Sequence, residues 1–166
     1  GEGAAEILSR AEAAGVVTSA DILAPGDPGV LAWIAQALPH LDYLLPNDEQ
    51  VTGLTGAATL EQGCRDLIAR GVSCVAATRG AEGALVVTAD RTVEVPAYAV
   101  DVVDTTGCGD AFSAGFLRGV GLGRDLAASA RLGCAAAALV AQGLGSDHGE
   151  FDLVAADAFA RHASSR

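Results

Sequence analysis

Apolar and polar positions change period repeatedly along the chain, and each change marks an element. "AAEILSRAEAAG" repeats apolar residues at helical spacing and stops at Gly15. "VVTSADI" reads as a short strand, "APGDPG" as a turn cluster. In "DPGVLAWIAQALPH", Asp27 stands before Pro28 as an N-cap before an N1 proline. "LDYLLP" is a buried strand, and "NDEQVTGLTG" opens a short helix behind it. "TLEQGCRDLIARG" is the next helix, capped by Thr59 and stopped at Gly71. "VSCVAATRG" is a strand ending in a glycine turn, and "EGALVVTADRTVEVPAY" is a hairpin turning at "ADR". Three helices follow, over roughly 109–121, 124–142 and 151–164. Alternating strands and helices predict an α/β fold with a mostly parallel sheet flanked by helices and a short antiparallel hairpin.

The chain has 166 residues, enough for one domain with a real core. It is 51% hydrophobic but only 4% aromatic, so alanine and glycine fill closely packed layers. A formal charge of -11 argues against nucleic acid and anionic membrane as partners. No apolar run reaches membrane-spanning length and no signal peptide is recognisable, so a cytoplasmic location is the expectation. Cys64, Cys74, Cys108 and Cys134 lack C-x-x-C spacing and read as small buried apolar residues in a reducing compartment. His40, His148 and His162 are scattered and form no ligand pattern. Trp33, with Leu31, Ile34 and Leu38, reads as helix core.

In such sheets ligands lie beyond the carboxyl ends of the strands. "PNDEQ", "TRGAEG" and "DTTGCGD" occupy such ends. In the last, Gly107 and Gly109 flank Cys108 where a helix should begin. Glycine lets backbone approach a ligand closely, and the unpaired amides and dipole of a helix start attract an anion. Asp110 falls on the first turn. Two readings stand for it: a charge that favours the helix start, or a general base taking a proton from an attacking hydroxyl. The turn is not a Walker A loop, since no Gly-Lys-Ser/Thr follows, and it lacks the third glycine of the dinucleotide fingerprint.

Taken whole, "DTTGCGDAFSAGFL" closely resembles the C-terminal signature of the ribokinase-like (PfkB) carbohydrate kinases, D-T-x-G-A-G-D-x-F. Asp104, Thr105, Thr106, Gly107, Gly109, Asp110, Ala111, Phe112 and Gly115 match, and Cys108 replaces the usual alanine. "LLPNDEQVTGLTG" resembles the family's Asn-x-x-Glu segment: Asn47 fits, but Gln50 stands at the Glu position, and a neutral amide cannot match a carboxylate in organising hydrated Mg²⁺. "VAATRGAEGALVV" resembles the nucleotide-contacting strand and loop, and "AAAALVAQGLGSDHG" the helix and loop that line the adenine pocket and a monovalent-cation site. The similarity runs from about residue 4 to residue 162.

The resemblance implies an ATP-dependent phosphoryl transfer to a sugar hydroxyl. Asp110 would be the base, and Gly107, Cys108 and Gly109 would form the anion hole. Thr78, Arg79, Gly80 and Gly83 would follow the phosphate and ribose, Asn47 the metal-phosphate, and Cys134 the adenine. Asp104 and Thr106, with carbonyls of Val140, Gly145 and Gly149, would hold a monovalent cation such as K⁺, alongside Mg²⁺ and ATP. Bland alternatives stay open: Asp104 closing its own turn, Arg79 solvated, Cys134 merely core. The resemblance also implies that residues 1–166 form the C-terminal portion of one ribokinase-like domain, without the sugar-binding half and lid, and inactive alone. An open sheet edge and exposed apolar surface are then expected. A non-catalytic adenine-nucleotide module and a nucleoside kinase are the competing readings, and a homodimer of the full-length protein is left open.

Overall fold

The computed structural model describes residues 1–23, 26–146 and 148–164. The turn cluster expected from residue 24 therefore lies partly outside the described residues. The sheet has five strands in chain order: β1 (Ser19–Ala20), β2 (Tyr43–Leu44), β3 (Cys74–Thr78), β4 (Ala84–Thr88) and β5 (Thr92–Val95). The β1–β2 and β2–β3 pairs are parallel, with Ser19 opposite Tyr43 and Tyr43 opposite Cys74. The turn between β4 and β5 is closed by the Thr88 N–H on the Arg91 carbonyl at 2.9 Å, at the expected "ADR". The result is the α/β sheet flanked by helices that the sequence predicts.

The chain divides into two compact units. The first comprises Gly1–Ala77 and Leu85–Thr92. Its helices are α1 (Glu2–Ala13), α2 (Pro28–Ile34), α3 (Asp48–Thr55) and α4 (Leu60–Ala69). Asp27 caps α2 through Gly29 N–H at 2.6 Å, and Thr59 caps α4 through Gln62 N–H at 3.3 Å. Leu44, Val51, Leu54, Cys64, Leu67 and Val75 form its core with Leu31 and Leu38.

Two expectations are corrected here. The helix over 28–40 ends at Ile34 and re-forms only as a 3₁₀ turn at Leu38–His40, where Pro39 lacks the N–H an α-helix needs. Trp33 is not core but 68% exposed. Two residues on a helix turn about 200°, so Trp33 faces away from buried Leu31. The His40 Nδ1 lies 2.7 Å from Glu12 Oε2, a pairing at the surface that leaves the reading of a scattered histidine in place. Strand β1 is also shorter than its apolar run, and Val16, Val17 and Leu23 around it are exposed, as is Ile7 on α1, a helix with no buried residue.

The second unit comprises Thr78–Ala84 and Val93–Arg166. It carries α5 (Cys108–Gly121), α6 (Leu126–Val140) and α7 (Leu153–His162). Helices α5 and α6 meet through small residues: a Cβ on Gly115 would stand 2.9 Å from Gly133 Cα, and one on Gly133 would stand 2.8 Å from the Phe112 ring. Phe112 and Phe116 stack at 6.0 Å behind this contact. No helix among the described residues is long and apolar enough to cross a membrane.

Candidate functional site

The start of α5 is held open by its backbone. Gly107 is the N-cap with φ 79, and a Cβ there would meet Ser146 Cβ at 2.6 Å, so both conformation and space require glycine. No side chain caps the helix. The Cys108 N–H is taken by the Thr105 carbonyl at 3.1 Å, and the Ala111 N–H by Gly107 at 2.9 Å. The Gly109 and Asp110 amides have no protein acceptor among the described residues. The Asp110 carboxylate is exposed on the first turn and hydrogen-bonds to none of the described residues. These are two free donors and one free acceptor at the positive end of a fourteen-residue helix.

Asp104 is committed instead. Its Oδ1 accepts from Thr106 N–H at 2.9 Å and Thr106 Oγ1 at 2.8 Å, and its Oδ2 accepts from Gly145 N–H at 3.0 Å. Those bonds, led by Gly145, hold its carboxyl below the usual range. Turn closure is thus a role Asp104 performs, and Gly145 is drawn to it by an N–H. The Val140 carbonyl accepts from Gly143 at 3.3 Å, and Gly149 lies with φ 79 beyond residue 147, which is outside the described residues. The described residues contain no cluster of three or more His, Cys, Asp or Glu that could hold a metal ion.

A cavity of about 310 Å³ opens within the second unit. Thr78, Gly80 and Gly83 contribute one wall, Cys108, Gly109 and Phe112 another, and Cys134 with Ala137 and Ala138 a third. Gly83 has φ 92, and a Cβ on it would stand 2.6 Å from the Ala97 nitrogen, which keeps the loop tight against 96–97. The lining is largely apolar. The Cys108 thiol donates to the Ala137 carbonyl at 3.5 Å. Burial pushes the Cys108 thiol up, and the Cys134 thiol up to about 12, so both walls are neutral.

Arg79 is not simply solvated: its side chain is 19% exposed, and Nη2 donates to Glu94 Oε2 at 3.3 Å and the Glu82 carbonyl at 3.4 Å. Its buried Nε has no partner among the described residues. It flanks the cavity without lining it.

In the first unit, Asn47 and Gln50 form a capping box at α3. Asn47 Oδ1 accepts the Gln50 N–H at 2.7 Å, Gln50 Oε1 accepts the Asn47 N–H at 2.8 Å, and Gln50 Nε2 donates to the Ile22 carbonyl.

Of the residues singled out in the sequence, the fold gathers Thr78, Gly80, Gly83, Cys108, Gly109 and Cys134 around one cavity. The remaining wall, Ala97, Tyr98, Val100 and Val102, was not foreseen. Those residues lie in an irregular segment between β5 and α5, where no periodicity marks a face.

The family model for pfkB carbohydrate kinases matches residues 1–150. The chain is 35% identical over 131 residues to an uncharacterized sugar kinase of Archaeoglobus fulgidus, covering 74% of this chain and 51% of that one. Among solved structures it is similar to a protein described as ribokinase II from E. coli, in complex with ATP and Mg²⁺ (TM-score 0.81, 26% identity, 93% of this chain and 51% of that one). It is also similar to a nucleoside kinase of Burkholderia thailandensis in complex with inosine (TM-score 0.79, 27% identity, 96% and 52%). The chain therefore spans about half the length of the relatives it matches. By its signature, its fold and these likenesses, the chain belongs to the pfkB carbohydrate kinase family.

Proposed function

We propose that this chain supplies the nucleotide-side half of an ATP-dependent kinase whose acceptor is a sugar hydroxyl. The observation that carries the reading is the pairing, at one helix start, of two amides and a carboxylate that have no partner among the described residues, beside a largely apolar cavity. The cavity suits an adenine ring, and the Gly109 and Asp110 amides suit the phosphoryl oxygens. Gly107 shapes the hole, while Cys108, whose N–H is committed, contributes wall rather than a donor.

The Asp110 carboxylate takes the proton of the acceptor hydroxyl as its oxygen bonds to the γ-phosphorus and the bond to the bridging oxygen breaks, leaving ADP. A magnesium ion carried chiefly by phosphate and water would, when bound, neutralise phosphate charge. Thr78, Gly80 and Gly83 border the ribose and phosphate path. Asn47, in the first unit, stays a proposal for the metal-phosphate on the family resemblance alone, with only its amide nitrogen left for it, since its oxygen serves the cap. Asp104, Thr106, Val140, Gly145 and Gly149 remain the proposed surroundings of a monovalent cation, with carbonyls as the ligands. The sugar-binding half and lid belong to chain beyond these residues in this reading, and the whole works in the cytoplasm.

Calorimetry with Mg-ATP tests the proposal: weak binding without phosphorylation is expected of residues 1–166. Heat equal to buffer dilution at millimolar nucleotide would refute it. A second reading, a nucleotide-binding module without catalysis, is favoured by Gln50, whose amide is consumed by the fold. Sugar-dependent ADP release by a form extended to the relatives' length separates the two, and ribose against a nucleoside as acceptor separates sugar from nucleoside kinase.

A further inference from the structure

Helix α7 lies beyond residue 150, where the family match ends, yet it is fastened to the cavity. Tyr98 is a buried wall residue. Its ring meets Phe159 of α7 edge-on, with centroids 5.4 Å apart at 69°. Its hydroxyl donates to the Ala160 carbonyl at 3.2 Å, and the next amide, Ala99 N–H, donates to the Ser164 carbonyl at 2.9 Å. Two contacts therefore join Tyr98 to the end of α7, and a third joins Ala99 to the chain just beyond it. The middle of α7 is fixed independently: Arg124 Nη1 and Nη2 donate to Oδ1 and Oδ2 of Asp157, each at 2.6 Å. Burial first, and then the neighbouring Cys134, push the Tyr98 phenol up.

We infer that α7 is a clamp that positions Tyr98 as the wall of the cavity and thereby sets the affinity for the adenine base. The identity of the base rests on the nucleotide reading above; the clamp itself does not. Segment 96–107 contains no helix or extended strand, only an isolated bridge at Tyr98, so its side chain takes its support from contacts outside the segment. Those contacts come from a helix whose own residues do not line this cavity. Phe159 and Ala160 are positioning residues: they act on the ligand only through Tyr98.

The test uses the 166-residue chain, with Phe159→Ala, the conservative Phe159→Leu, and Tyr98→Phe. Each is alkylated with iodoacetamide under mildly alkaline conditions, and labelling is resolved by cysteine. Cys64 and Cys74 are buried in the first unit and report general loosening, whereas Cys134 reports the cavity wall. Phe159→Ala should raise Cys134 labelling and the Kd of Mg-ATP about threefold to tenfold, leaving Cys64 and Cys74 protected. Phe159→Leu should restore most of both, and Tyr98→Phe should shift them in the same direction but less. Cys134 labelling that is unchanged, or that rises only in step with Cys64 and Cys74, overturns the clamp, as does a Kd unmoved while Cys134 opens. If the unaltered chain gives no Mg-ATP heat and Cys134 still opens selectively, the nucleotide reading fails and the clamp stands.

Discussion

Asn47 and Gln50 each accept the other's backbone N–H through a side-chain oxygen, at 2.7 and 2.8 Å, and the leftover Gln50 amide group ties the cap to the Ile22 carbonyl. Glutamate at 50 would keep the cap oxygen but turn a second oxygen toward that carbonyl. Gln50→Glu should therefore destabilise the chain by about 1–3 kcal/mol in urea unfolding. A stability gain, or a tighter Mg-ATP response without loss of stability, would show that residue 50 serves the metal rather than the fold.

The Asp110 carboxylate makes no hydrogen bond to any described residue. Asp110→Asn should leave stability within about 0.5 kcal/mol, as for most surface changes. In a form extended to the relatives' length, turnover should fall by roughly 10²–10⁴. Undiminished turnover would remove Asp110 from the role of base and return it to helix electrostatics.

Gly107→Ala forces a left-handed residue against Ser146, with Cβ atoms 2.6 Å apart. The expected loss is more than about 1 kcal/mol, and Mg-ATP heat should vanish with it because the helix start is displaced. A variant of unchanged midpoint that still binds would contradict the geometry of the hole.

Hydrogen bonds from Arg124 hold the Asp157 carboxyl below its ordinary value, and those from Gly145 and Thr106 do the same for Asp104. Depressed folded-state values stabilise above the unfolded pKa of about 4, and that stability disappears as pH falls through the folded values. The urea midpoint should accordingly drop as the chain is taken from about pH 6 to pH 3. Asp157→Asn should lower the plateau and flatten the acid limb; a limb of unchanged steepness would place the acid sensitivity elsewhere.

Much of this was legible in the sequence because local chemistry decides it. Asp27, Thr59 and Gly107 announce helix starts through capping oxygens or left-handed backbone, and all three stand at their predicted ends. The signature spacing located the free carboxylate and amides for the same reason. What was not legible depends on distant partners. Tyr98 is a wall only because Phe159 and Ala160 return to it, 62 residues on from the phenol to its acceptor. The donors consuming the Asp104 carboxylate include Gly145, and the acceptor consuming the Gln50 amide is Ile22; neither follows from period or spacing. Trp33 shares an apolar run with Leu31, yet two helical positions lie about 200° apart, so the run does not share a face.

The strand order has a kinetic meaning as well. Because β1 to β5 lie side by side in the order of synthesis, no later strand has to insert between two earlier ones. Each new strand finds its partner at the growing edge, after closing a loop whose entropic cost rises by only about 0.6 kcal/mol per doubling of length.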